Sequence, residues 1–203
     1  GSVENTIIGV ASFNSYSNIA VANTSLGYGA GGNAYNGNQN VLVGALSGFF
    51  CNGNNNVLVG TESCFYNQSS NITAVGTASG YNNVNGTNNT LLGFQTGYNN
   101  TTGNANTFIG NNAGYGSNIL MLTGSYNTVI GNESGYSLTT GSRNVFLGST
   151  SSNNGVSNDA PGWAITNGND NILIGVQAGS SATSAINNVI IGSNVGSNIT
   201  TGG

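Results

Sequence analysis

The side chains able to do chemistry are few and far apart. The 203 residues include no histidine and no lysine; Arg143 is the only cation, Glu4, Glu62, Glu133, Asp159 and Asp170 are the only acids, and Cys51 and Cys64 the only thiols. Serine and cysteine nucleophiles therefore lack their usual bases. Glycoside hydrolysis needs two carboxyl groups about 5–10 Å apart. Glu62 and Glu133 hold the same place in a sequence repeat but sit four repeats apart, roughly 19 Å if the repeats stack like strands at ~4.8 Å. Asp159 and Asp170 flank a lengthened repeat and are the one pair that can approach each other. The chain thus reads as a non-enzyme, with polysaccharide cleavage at Asp159/Asp170 as the alternative.

Metal chemistry is equally poor. Calcium-binding β-rolls repeat aspartate in every loop, which five acids in eleven repeats do not match. Cys51 and Cys64 have no histidine for a zinc site; they sit at different offsets from the repeat glycine and read as small buried residues. No cofactor is expected. With a net charge of −4 and one basic residue, nothing neutralises a run of phosphates, so nucleic-acid binding is excluded. No run of 18 apolar residues spans a bilayer. Gly1-Ser2 reads as a cloning remnant, and the ending in mid-pattern suggests one repeat domain, residues 1–203, excised from a longer fibrous protein.

What must position these residues is a repeat. A phrase of asparagine, three mostly apolar residues and glycine recurs eleven times, the fifth copy with its asparagine one residue early at Asn71, closing at Gly9, Gly27, Gly44, Gly60, Gly76, Gly93, Gly110, Gly131, Gly148, Gly175 and Gly192. A period of 16–17 residues predicts an all-β parallel solenoid of about 11 coils. Only 3% of residues are charged, a composition shared with disordered chains, but disordered chains carry no such apolar register. The fuller unit is Gly-x-x-Asn-β-x-φ-Gly-x-x-small-Gly-aromatic.

Each predicted strand has three positions. The first is β-branched (Thr107, Val145) and the third aliphatic (Ile109, Leu147); both are expected inside the coil. The middle position is then outward: Ile7, Leu42, Leu58, Leu91, Phe108, Val129, Phe146, Leu173 and Ile190 would form a greasy stripe that soluble monomers seldom expose. Self-association is the simplest cover, and a homotrimer closing these nine residues around a shared axis is the expected assembly. With threonines inward, an ice-binding threonine array is not expected. The recurrent asparagines read as a hydrogen-bonding ladder. Phe49, Phe65, Tyr81, Tyr98, Tyr115 and Tyr136 read as internal packing, with sugar stacking as the alternative.

Two repeats are longer, and both extensions are placed between the small-Gly corner and the next leading glycine, so both should project from one edge. The first carries Ile119-Leu120-Met121-Leu122. The second, an inserted edge loop at 153–167, carries Asp159, Pro161 and Trp163. Asp159, Pro161, Trp163, Tyr115, Leu120 and Met121 are therefore the candidate receptor-binding residues; a capping role for Trp163 is the alternative.

The phrases Asn106-Thr107-Phe108-Ile109-Gly110, Asn171-Ile172-Leu173-Ile174-Gly175 and Asn188-Val189-Ile190-Ile191-Gly192 resemble the repeats of trimeric autotransporter adhesin heads. The longer form from Asn106 to Gly114 resembles glycine-rich phage and viral tail-fibre repeats. The likeness runs from about Asn5 to Gly196. It implies a left-handed β-roll, three chains together, and attachment to a host-surface glycan or protein, on an outer membrane or a virion. Adhesin-head repeats are shorter, nearer fourteen residues, and their middle residues smaller, so the coil here is expected to be wider. The resemblance carries no catalytic residues.

Overall fold

The computed structural model describes residues 4–13, 20–34, 36–117, 121–150 and 159–201. Among them there is no helix. Eleven three-residue strands run from β1 (Thr6–Ile8), β2 (Thr24–Leu26), β3 (Val41–Val43) and β4 (Val57–Val59) through β5 (Thr73–Val75), β6 (Thr90–Leu92), β7 (Thr107–Ile109) and β8 (Thr128–Ile130) to β9 (Val145–Leu147), β10 (Ile172–Ile174) and β11 (Val189–Ile191). They pair in sequence order as one parallel sheet. Register is strict, position against position, as in Thr107↔Thr128 and Ile109↔Ile130. Coil n denotes the turn that begins with strand n, so the chain is a β-solenoid of about ten turns. At ~4.8 Å per strand the sheet is roughly 48 Å long.

Only one side of each coil is strand; the rest is stacked turns. Their backbone groups bond to adjacent coils, as in Gly97 N to Ala113 O (3.0 Å) and Asn99 N to Tyr115 O (3.0 Å). Corners demand left-handed backbone. The strand-ending glycines have φ between 120° and 145°, a region closed to other residues. A Cβ on Gly110 would lie 2.6 Å from the carbonyl oxygen of Gly131.

The expected strand orientation is overturned. The middle residues Leu42, Leu58, Leu91, Phe108, Val129, Phe146, Leu173 and Ile190 are the core, all but Ile190 without any exposure; Ile7, in the first coil, is exposed. They are not an outward stripe and cannot be a trimer interface. The inside of the coil is narrow, and one long side chain per strand fills it. The Phe108 ring reaches the far wall, where a Cβ on Gly114 would sit 2.7 Å from its Cδ2. First and third positions point outward instead: in every strand after β1 the middle residue is buried and its two neighbours are exposed or partly exposed.

The asparagine ladder is present, with one departure. Each Asn side chain accepts from the next Asn backbone N–H and donates to the leading carbonyl of the following coil: Asn127 N to Asn106 Oδ1 is 2.9 Å, and Asn106 Nδ2 to Gly124 O is 2.9 Å. In the fifth copy Ile72 stands at the ladder place, one residue after Asn71. There Gly86 O receives Ser69 Oγ (2.7 Å) and Asn83 Nδ2 (2.8 Å) instead.

The longer extension also lies elsewhere than expected. Gly135 N donates to Pro161 O (3.1 Å) as Gly114 N does to Ser134 O (2.9 Å), and Gly162 has φ 61° like Gly135 at 57°. Pro161-Gly162-Trp163 is therefore the small-Gly-aromatic corner of coil 9, and residues 159–167 belong to the coil rather than to a loop. Thr150 N bonds Asn132 O and Gln177 N bonds Asp159 O, so the extra residues enter between Thr150 and Asp159. The shorter extension follows Tyr115 and returns at Leu122, which is fully buried. The two extensions leave from different corners.

Candidate functional site

Two long surfaces survive as candidates, one on the sheet and one at the aromatic corner. The sheet face carries two columns. The first-position column is β-branched throughout, with four consecutive threonines, Thr73, Thr90, Thr107 and Thr128. The third-position column is Ile, Leu or Val. Ten aliphatic residues of these columns, from Ile8 to Ile191, are more than a third exposed. Exposed aliphatic side chains aligned in a strip along one sheet face are what soluble monomers seldom carry. The strip has no charged residue. The threonine array is thus outward, which removes the ground on which ice binding was set aside.

The aromatic corner is a stacked ladder. Phe49, Phe65, Tyr81, Tyr98, Tyr115, Tyr136 and Trp163 follow one another with ring centroids 4.9–5.8 Å apart and planes within 10° of parallel. Phe50 and Tyr66 form a second short column, edge-on to the first. The rings are half-buried and cover one another's faces, so a sugar cannot stack along the ladder's length. Flanking burial holds the Tyr81, Tyr98, Tyr115 and Tyr136 phenols above their ordinary range; Glu133 adds to the rise at Tyr136.

The sequence candidates separate accordingly. Tyr115 and Trp163 join the ladder, Trp163 as its last ring. Asp159 and Pro161 are buried, Pro161 at the small-residue place and Asp159 two before it. Met121 is exposed, on the other extension; Leu120 and residues 153–158 lie outside the described residues. Among the described five, Tyr115 and Trp163 share the ladder, Asp159 and Pro161 are buried, and Met121 lies apart on the other extension. The signal for the ladder's seventh member was present in sequence: Gly162-Trp163 precedes Gly168 by the usual six residues.

The carboxylates offer no assembled pair. Asp170 makes a bidentate bond to Arg143, Nε to Oδ1 at 2.6 Å and Nη2 to Oδ2 at 2.7 Å, across adjacent coils. That hydrogen bonding holds Asp170 below the usual carboxylate range. Asp159 sits at the opposite end of its coil segment, beside the strand-side corner. Among the described residues no three His, Cys, Asp or Glu side chains come together as a metal site. Cys51 and Cys64 are free and buried. Burial raises both thiols' pKa, so they stay protonated and unreactive. No helix of the described residues is long and apolar enough to cross a membrane. Searches of protein-family models, of curated proteins and of solved structures find no match for this chain.

Proposed function

We propose that this chain is a structural and adhesive fibre module: an extracellular rod, on a cell surface or a virion tail fibre, that presents its sides to a host-surface glycan or protein. Three copies pack through the outward sheet columns, Thr/Val on one side and Val/Ile/Leu on the other, with coils of left-handed sense. The observation that carries the reading is the uncharged aliphatic strip along the whole sheet. Identical copies meet there without charge repulsion, and their side-chain rows share one spacing. Burying it offsets the cost of leaving Val, Ile and Leu in water, about 25 cal/mol per Å².

Sedimentation equilibrium tests this. A mass near three chains is expected, falling to one chain when Val57→Asp and Leu92→Asp place charges on the strip. A monomer at micromolar concentration in the parent sequence overturns the assembly. Attachment itself is tested by binding of the labelled protein to cell-surface glycan and protein arrays; no binding to any of them leaves only the role of spacer.

A further inference from the structure

The ladder spends its ring faces on itself and turns its edges outward. The hydroxyls of Tyr81, Tyr98, Tyr115 and Tyr136 have no partner among the described residues, and none is sealed from solvent. Their rings step by 5.0, 5.2 and 4.9 Å with interplanar angles of 4°, 8° and 2°. The row is therefore evenly spaced, with its rings close to parallel. Beside it, Asn82 Nδ2 donates to Asn99 Oδ1 (3.0 Å), adding a rail of carboxamides. Beyond Trp163 no ring follows; Ser180 holds the equivalent place in coil 10, as the bond from Ala164 N to its carbonyl shows.

We propose that this outer edge binds a neutral, extended β-1,4-linked glycan lying parallel to the solenoid axis. The inference rests on the adhesive reading above and names the ligand class. A periodic row of identical groups is matched by a polymer of nearly the same period, and extended β-1,4-linked pyranoses advance by about one ring per ~4.8 Å coil. Alternate rings of such a chain are flipped, yet each turns a hydroxyl-bearing edge to the protein. A phenol hydroxyl both donates and accepts, so it serves either edge.

Charge selects against acidic glycans. Arg143 is the only cation and is held by Asp170. Glu62 and Glu133 lie close enough to the ladder to raise the neighbouring tyrosines, and they repel a polyanion. The sheet face remains free for other copies while the edge is occupied.

The test uses the full chain and titrates β-1,4-linked glucose and N-acetylglucosamine oligomers of two to six rings by calorimetry. Affinity should rise with length and level off near the number of phenols. The variant with Tyr81, Tyr98, Tyr115 and Tyr136 all changed to Phe keeps the stack, as Phe49 and Phe65 already show. It should bind roughly 30–100-fold more weakly, the sum of four modest hydrogen bonds. Glu133→Gln should gain affinity for an acidic oligomer. Binding by the four-Phe variant within twofold of the parent, or affinity independent of length, overturns the proposal, as does the absence of binding to any neutral oligomer. If the parent still attaches to cell-surface arrays in those cases, the adhesive reading stands and the site lies elsewhere.

Discussion

Coils 5 and 8 feed the same buried carbonyl with side chains from opposite walls. In coil 8, Asn127 precedes the strand and its Nδ2 reaches Gly141 O at 2.9 Å, while Leu138 fills the return wall. In coil 5 the polarities are exchanged: Ile72 precedes the strand, and Asn83 on the return wall reaches Gly86 O. One carboxamide from either wall is enough for the carbonyl, and coils 4 and 6 carry one on each: Asn56 and Asn67 both reach Ser69 O, and Asn89 and Asn100 both reach Gly103 O. What is conserved between coils 5 and 8 is the satisfied acceptor, because an unpaired buried carbonyl costs about 1–3 kcal/mol. The unit to preserve is therefore the pair of wall positions rather than the asparagine.

The largest effect should come from what both coils share. Gly76→Ala or Gly131→Ala puts a Cβ into the carbonyl of the next coil at φ 133° or 125°; a loss above ~3 kcal/mol, or failure to fold, is expected in denaturant unfolding. Next, Asn127→Leu and Asn83→Leu should each cost roughly 2–4 kcal/mol: the first strands Gly141 O, and the second leaves Gly86 O to Ser69 Oγ alone and takes the acceptor from Asn89 Nδ2 and Asn100 Nδ2. Ile72→Asn alone should also destabilise, by about 1–2 kcal/mol, because Gly86 O already accepts two bonds. The double change Ile72→Asn with Asn83→Leu, which turns coil 5 into coil 8, should recover most of the loss. Additive costs in that double-mutant cycle would break the comparison.

Smaller effects sharpen it. Just before β5 and β6, Asn71 Nδ2 donates to Asn88 Oδ1 at 3.1 Å; the same outer place before β9 and β10 holds Arg143 and Asp170. Neutral and charged staples differ in pH response. Asp170 has a lowered pKa in the fold, so its contribution is present above the ordinary aspartate range and fades as pH falls through its folded value. Arg143→Gln should abolish that acid-side slope in the melting temperature and change little else. The ladder phenols respond at the other end: their folded pKa is raised, so stability is full below the ordinary tyrosine range of ~10 and declines as pH rises through it. A melting temperature flat to alkaline pH would contradict the ladder's partial burial.

Repeat length, the single parallel sheet and its register could be read from the spacing of glycines, because each closes a strand with a backbone only glycine adopts. The facing of the strand could not be read from alternation, since Thr128, Val129 and Ile130 are all compatible with burial. Volume decided it: Phe108 and Phe146 are too large for an exposed column opposite facing glycines, and a threonine hydroxyl inside would lack partners. That cue was in the sequence, as was the Gly162-Trp163 corner. The exchange at Ile72 and Asn83 was not, because two positions eleven residues apart become partners only through the coil's diameter. The phenol row was visible as a pattern, whereas the orientation of its hydroxyls required the stacked geometry.

The strict register of the sheet has a consequence for how the chain finds its fold. Near-identical coils allow a strand to dock one repeat too early or too late, excluding a whole coil as a loop, with almost every backbone bond still made. Only aperiodic features penalise such slippage. A slipped coil 5 would take Ser69 Oγ away from Gly86 O and set Ile72 against the wrong asparagine, a shifted Trp163 would meet the wrong neighbour, and the two extensions would emerge from different coils. These irregularities act as alignment marks, and the chain's departures from its own repeat are what make one stacking order unique.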